Sequence, residues 1–490
     1  VEAVVVGAVD FAGGMENILL RNQQNAFFTG EKPSLVFAEN TDGVLPGEGA
    51  GALVLQKATT PNPTGNYAEI AGFQSLKKAQ GLGYLELTAY HDEHKNKERK
   101  NLDVLSAEKR QVAIGSVNTN IGHTFAAAGI AGLIKTILCL HHRFIPGVPN
   151  WTMTDRGGIS EKVFIPNFSR PWIGENRMAG VSDGKGNCWQ LNEAVQKKTS
   201  DGTYRNKKIP LLFPLNFSTI SEANSALSEL ETTLSNTDNI REQAVNCYQT
   251  FKNKKEKYTL VLLGANKISI QRDLKYFQKN IATAINSGSE LKTPTGSYFT
   301  GKPLGGDRKV AFVYPGSSTA YAGMGQELFQ LFPELHEEFG HLKPTLDTYV
   351  QSDYLYPRTI AKNETVPVIQ DDAIAMMSSG VFFSAAYNWL LRDTLELTPK
   401  MAFGYSMGEC SSMWYSNNIW DAGETDTFRN SPIFKNRFAG NLELLAEHWG
   451  ITTAEAKACQ CYLYSLDQYD FDRPTTPCRS DQSKWKNGCS

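Results

Sequence analysis

The stretch "QVAIGSVNTNIGHTFAAAGIAGLIKTILCLHHRFIPG", residues 111–147, constrains the fold more than any other part of the chain. An apolar run ends in turn formers, and a helix of small residues follows from Phe125 to Leu140. Gly129 and Gly132 present no side chain, so a neighbouring backbone can approach that helix closely. His141, His142 and Arg143 close the helix at its negative end, and Pro146 stops further winding. Strand, turn and close-packing helix in direct succession are the elements of a layered α/β fold.

The chain of 490 residues has room for several such layers, at roughly 100–200 residues per domain. Hydrophobic residues at 41% and charged residues at 20% permit several packed cores. With 49 Lys and Arg against 51 Asp and Glu, no basic excess points to nucleic acid or to an anionic membrane surface. Eight cysteines are too sparse for a disulfide scaffold, so a reducing, cytoplasmic setting is expected. "FAAAGIAGLIKTILCL" is interrupted by Lys135 and falls short of a membrane span. Val4 to Val6 followed by Gly7 reads as a buried strand entering a turn, with no initiator Met or basic leader before it. A chain opening on a core strand is expected to be a fragment.

Three regions follow from the pattern. Residues 1–195 alternate apolar strands, such as "GALVLQKA", with glycine-rich turns. Residues 196–305 hold a compact βα unit: strands "IPLLFPLNF" and "YTLVLLG", and helices marked by Ala223, Leu227, Leu230 and Leu234 and by Leu274, Phe277, Ile281 and Ile285. Ser221 is the expected N-cap of the first helix. The stretch "SGSELKTPTGSYFTGKPLGGDRK" marks a boundary, after which "VAFVYPG" opens residues 306–490 as a strand ending in a turn. The tail, residues 457–490, is atypical. It holds Cys459, Cys461, Cys478 and Cys489, matches no zinc spacing, and has the composition of an unstructured segment.

The G-x-S-x-G pattern occurs twice, as "GVSDG" at Gly180–Gly184 and "GYSMG" at Gly404–Gly408. A nucleophile elbow needs a strand, a sharp turn and a helix whose N-terminal N–H groups face a developing oxyanion. Met401 to Phe403 supply a strand end and "MGECSSMWY" can continue as a helix, so Ser406 fits. Ser182 is followed by turn formers and another apolar run, and reads as a loop residue. The run His91, Asp92, Glu93, His94 could suggest a metal, but such a polar run reads as a solvated loop.

"GYSMGE" together with "VAFVYPGSSTAYAGMGQELFQLFPEL" resembles, in order, the elbow and opening loop of the malonyl/acyl-carrier-protein acyltransferases. The resemblance implies an α/β-hydrolase-like domain, truncated here, in which Ser406 is acylated by a thioester. Backbone N–H groups of Met407 and Ser317 would form the oxyanion hole. Arg437, or less well Arg429, would pair with a substrate carboxylate through a planar fork. Tyr405 replaces the family's usual histidine. The family's general-base histidine lies well beyond the elbow helix, and His448 is the only histidine after Ser406.

"NTDGVLPGEGAGALVLQKA", the stretch around "NIGH" and "RMAGVSDGKGN" resemble, in order, the C-terminal half of a β-ketoacyl synthase. That resemblance implies a thiolase-like fold and a homodimer through this region. The family condenses acyl chains with a cysteine, two histidines and a lysine. The cysteine is absent, Thr88 stands at the first histidine's position and Asn118 at the lysine's, leaving His123 as a remnant. The region thus reads as a degenerate, non-condensing ketosynthase or chain-length factor.

The order ketosynthase remnant, linker, acyltransferase resembles acyltransferase subunits of polyunsaturated-fatty-acid and heterocyst-glycolipid-type synthases, within the polyketide synthase class. The main expectation is transfer of an acyl group from coenzyme A, through a serine ester, to the phosphopantetheine arm of an acyl carrier protein. No cofactor is expected on the chain itself, and other synthase subunits are expected partners. The alternatives are a non-catalytic scaffold subunit and, last, a serine esterase of the α/β-hydrolase type. The esterase would call for an HGGG-type oxyanion loop, which the sequence lacks.

Overall fold

The computed structural model describes residues 3–11, 13–24, 45–60, 62–88, 102, 105, 111–149, 151, 162–174, 177–195, 210–305, 309–342, 346–358, 368–417, 431–438 and 441–458. His91 to His94, Arg429 and all four tail cysteines lie outside them. Residues 1–424 group as one unit and 425–490 as another.

In the first unit, β1 (Ala3–Asp10) and β2 (Gly49–Gln56) pair antiparallel, with α1 (Met15–Gln24) between them in sequence. The expectation of a buried strand turning at Gly7 does not hold. β1 runs straight through Gly7, which pairs with Ala52. Val5 and Val54, cross-strand partners, are each 71% exposed.

A six-stranded sheet forms the centre of residues 68–193. It comprises β3 (Ala68–Ser75), β4 (Tyr84–Glu86), β5 (Val112–Gly115), β7 (Val163–Phe164), β9 (Met178–Ser182) and β10 (Asn187–Glu193), in the order β3-β10-β9-β4-β5-β7. β9, β4, β5 and β7 run parallel, while β3 and β10 close one edge antiparallel. α2 (Ala128–His142) continues a short 3-10 turn at Phe125–Ala127, so the small-residue helix forms where the sequence puts it. Its Gly132 faces β4 and β9: a methyl there would meet Glu86 at 3.2 Å and Val181 at 3.5 Å. β6 (Phe144–Ile145) and β8 (Arg170–Pro171) pair beside it.

The centre of this region is a buried acid. Glu86, on β4, is fully buried, yet its carboxylate accepts from the Tyr84 hydroxyl and the Val117 amide and meets Lys135 of α2 at 3.1 Å. Burial and the neighbouring carboxylate push the Tyr84 phenol well above its usual range, so it remains a donor.

Residues 211–300 form a four-stranded antiparallel sheet in the order β11-β12-β14-β13, made of β11 (Leu211–Phe217), β12 (Tyr258–Gly264), β13 (Glu290–Lys292) and β14 (Tyr298–Thr300). α3 (Ile220–Asn236), α4 (Ile240–Lys252) and α5 (Lys267–Ser287) accompany it. The apolar spacing read from the sequence is the buried face: Ala223, Leu227, Leu230 and Leu234 join Leu274, Phe277 and Ile281 in one core. Ser221 is not the cap of α3. Thr219 is, because its hydroxyl accepts from the Glu222 amide while the Glu222 carboxylate accepts from the Ser218 and Thr219 amides, a reciprocal pairing that Ser221 cannot make from inside the helix.

Beyond residue 309, β15 (Ala311–Tyr314) pairs parallel with β16 (Met401–Gly404). Between them lie α6 (Gln326–Leu331), α7 (Leu335–Glu338) and α8 (Ala373–Trp389), the last apolar all round and mostly buried. Among the described residues these strands pair only with each other, so an α/β-hydrolase-like sheet is not shown. Among the described residues two helices, Phe125–His142 and Ala373–Thr394, are long and apolar enough to cross a membrane, the first despite Lys135 and contrary to the expectation that it falls short, and most of the second is buried inside the unit. In the second unit α9 (Glu443–Trp449) is the longest helix described.

Two sets of contacts tie α7 and its neighbours to the ketosynthase-like region. Arg143, in the left-handed conformation that ends α2, donates to Glu193 at 2.7 Å and grips both oxygens of Glu337. Arg177 donates to Glu193 at 2.9 Å and lies 3.2 Å from His336.

Removing Lys135 strands a buried carboxylate, a loss worth roughly 3–5 kcal/mol. Lys135→Met should therefore speed amide exchange in β4 and β5 strongly, and adding Glu86→Gln should restore most of the protection. Unchanged exchange in the single variant would show that the pair does not hold the sheet.

Candidate functional site

The carboxyl ends of parallel strands are where α/β sheets place their ligand crevices. Here the ends of β4, β5 and β9 deliver Thr88, the Asn118–His123 turn and Ser182. After β5 the chain winds one turn from Asn118 to Ile121 and passes Gly122 at φ 75°, a value that suits glycine. His123 is then clamped by its backbone: its amide donates to Leu45 at 2.8 Å and its carbonyl accepts from Gly47 at 2.9 Å. A side chain on Gly47 would strike the Ile121 carbonyl at 2.3 Å, so that glycine is required for the approach.

The His123 ring is 2% exposed. Its Nδ1 accepts from the Phe125 amide at 3.0 Å, and the Thr88 backbone engages it as well. Burial lowers its pKa to about 4, against a weaker opposing effect of the Thr88 contact, so the ring is neutral at pH 7. Thr88 in turn donates to the Ser182 carbonyl at 2.6 Å. Ser182 is the last residue of β9 and its hydroxyl accepts from Gly184; β10, not a helix, comes next. Asn118 is buried with its Oδ1 unsatisfied.

The structure therefore gathers His123, Thr88 and Asn118 in one place. Among the described residues no cysteine nucleophile joins the group. The described free cysteines are Cys139, Cys188 and Cys247, and burial pushes their thiols up to about 12, 11 and 11. None is a thiolate at neutral pH.

A second arrangement surrounds Ser406. It sits at φ 54° between β16 and the helical turns that begin at Gly408. Gly404 and Gly408 lock the turn: a methyl on the first would meet the Gly408 carbonyl carbon at 2.2 Å, and one on the second the Tyr314 oxygen at 2.1 Å. Met407 is buried behind the serine, and the Gly316–Ser317 turn lies alongside, since a methyl on Gly316 would reach Ser406 Cβ at 3.7 Å. The Gly316–Ser317 turn is thus a neighbour of Ser406 and Met407. Arg437 lies in the other unit, where both its terminal nitrogens are held by Glu447 at 2.9 and 2.7 Å. His448 stands exposed in the last turn of α9.

Two family models match the chain. Residues 1–60 match the β-ketoacyl synthase N-terminal domain and residues 88–152 the C-terminal domain. The first region is thus ketosynthase-type, and it is not only a C-terminal half, since its first 60 residues match the other one. Relatives agree. The chain is 27% identical to one of the subunits of a polyunsaturated fatty acid synthase from Thraustochytrium sp., over 92% of this chain and 25% of that one. It is 25% identical to polyketide synthase GfsE of Streptomyces halstedii, over 62% of this chain and 8% of that one. A solved ketosynthase from module 6 of the Bacillus subtilis 168 bacillaene synthase is 19% identical, over 75% of this chain and 68% of that one, with a TM-score of 0.33. The chain spans a quarter or less of these curated relatives' length.

These matches correct the acyltransferase reading. The family models that match are both ketosynthase halves, and both lie outside the Ser406 elbow. The elbow geometry exists, but the guanidinium expected to read a carboxylate is held by Glu447.

The neutral His123 has a signature in stability. The unfolded chain takes up its proton near pH 6.5 and the folded chain only near 4. Its contribution is complete above about pH 6.5 and is lost as pH falls toward 4, on the order of 3 kcal/mol in all. Denaturation midpoints from pH 7 to 4 should fall less steeply for His123→Gln than for the parent. Equal slopes would show that the ring titrates freely in the fold.

Proposed function

We propose that the chain is the non-condensing, ketosynthase-like scaffold part of a polyketide or polyunsaturated-fatty-acid synthase. The observation that carries this reading is the state of His123. Acid–base work needs a histidine that can exchange protons near neutral pH and reach a reacting atom. This ring is sealed, neutral, and occupied at Nδ1 by the Phe125 amide. Its counterpart position holds Thr88, whose hydroxyl is committed to Ser182. The matched relatives are synthases in which this chain would be one segment, and a carrier protein and other synthase subunits are its natural partners.

A scaffold also needs surface to assemble on. Val5, Val9 and Val54, with Phe11 and Met15 nearby, leave an apolar sheet uncovered among the described residues. One face of the sheet lies on α2, where Gly51 meets Ile130 and Ile134, and an exposed apolar patch such as that on its other face marks an interface. Association of two copies through this ketosynthase-like region would cover it.

The test uses the full-length protein with acyl- and malonyl-loaded carrier. No carbon–carbon bond formation is expected. Condensation that disappears in His123→Ala would overturn the proposal. Val5→Glu should lower the oligomeric state read by light scattering without changing the circular dichroism spectrum, and an unaltered assembly would place the interface elsewhere.

A further inference from the structure

At the opposite, amino ends of the same parallel strands lies a cavity of about 970 Å³. Gln80–Gly83 line it just before β4, Gln111 just before β5, Lys162 just before β7, and Arg177 and Met178 at the start of β9. Residues 347–358 close it from the other side, through Asp347, Ser352, Asp353, Tyr356 and Arg358. It is separate from the His123 group, which occupies the carboxyl ends.

Among the described lining residues the cations outnumber the carboxylates. Four cations line it, Lys162, Arg170, Arg177 and Arg358, against two carboxylates, Asp347 and Asp353. Arg358 is paired with Asp353 at 2.8 Å and Arg177 with Glu193 at 2.9 Å. Arg170 differs. It is 3% exposed, and its terminal nitrogens donate only to neutral carbonyls, those of Tyr356 at 2.5 Å and Pro357 at 2.7 Å. The Phe164 and Phe168 rings flank it at 5.0 and 5.1 Å. Its Nε has no hydrogen-bond partner.

A buried ion is costly unless a counter-charge stands against it. Burial, with Arg358 nearby, lowers the Arg170 pKa to about 9 against the weaker opposing pull of Asp353, itself paired with Arg358, which still leaves it charged at pH 7. The two carbonyls hold the guanidinium in place without neutralising it. A guanidinium's remaining Nη hydrogens are what an oxyanion beside it can accept from. The wall also carries Leu82, Ile145, Trp172, Ile173 and Met178, beside the polar Gln80, Gln111 and Ser352. The volume is that of a small-molecule pocket.

We propose that this cavity binds an organic oxyanion, a phosphate or carboxylate carried on an apolar body, with Arg170 as its charge partner. The head group meets the guanidinium and the body lies along Trp172 and Met178. Binding then links residues 356–358 to the amino ends of the sheet, because Arg170 already holds the Tyr356 and Pro357 carbonyls.

Calorimetry on the full-length protein with octyl phosphate, octanoate, inorganic phosphate and octanol tests this. Saturable binding of octyl phosphate or octanoate, tighter than that of octanol or inorganic phosphate, is expected, and the tighter of the two identifies the head group. Arg170→Gln should weaken it roughly ten- to a hundredfold. Because that change could also loosen the fold, hydrogen exchange on the unaltered protein is the second measurement. The ligand should protect amides at 80–83, 111 and 356–358. Octanol binding as tightly as the anions, no saturable binding, protection elsewhere only, or an undiminished affinity in folded Arg170→Gln would each overturn the proposal.

Discussion

The Glu86 carboxylate is the constraint on which the ketosynthase-like region depends. A carboxylate at the centre of a sheet is tolerable only when donors converge on it from several directions. Tyr84 comes from the same strand, the Val117 amide from the turn after β5, and Lys135 from α2. One side chain therefore sets where the turn begins and how the helix lies on the sheet. The turn in turn delivers His123, and the helix leaves at Arg143, which reaches Glu337 beyond the β11–β14 sheet in sequence.

Those same connections explain why the histidine group reads as architecture rather than chemistry. His123 joins the 45–47 segment to the 118–125 turn through its backbone, and its ring finishes the packing under Phe125. Thr88 and Ser182 join β4 to β9 at the same level. Each polar contact described there joins two parts of the fold, which is what the scaffold proposal calls for.

Much of this was legible in the sequence where the signal is local. The spacing of Ala223, Leu227, Leu230 and Leu234 dictated a buried helix face because helical periodicity does not depend on distant partners. The cap of the same helix was misread by two residues, since Ser221 and Thr219 are both good caps and only Glu222 decides between them. Val4 to Val6 looked like core because composition reports apolarity and not whether another layer arrives to cover it. The shape around Ser406 was legible from its glycines, but its function was not, because shape and chemistry are separate facts. The Arg143–Glu337 and Arg170–Tyr356 contacts had no sequence signal at all, joining residues 194 and 186 positions apart.

Gly404 and Gly408 carry a wider consequence. Each is fixed by a backbone atom that a methyl would strike, whatever the residue between them does. Mutation could exchange Ser406 for another small residue with little mechanical penalty, whereas either glycine would resist replacement. Such a bend is held by backbone sterics alone, so its glycine signature reports a shape and is silent about the work of the serine inside it.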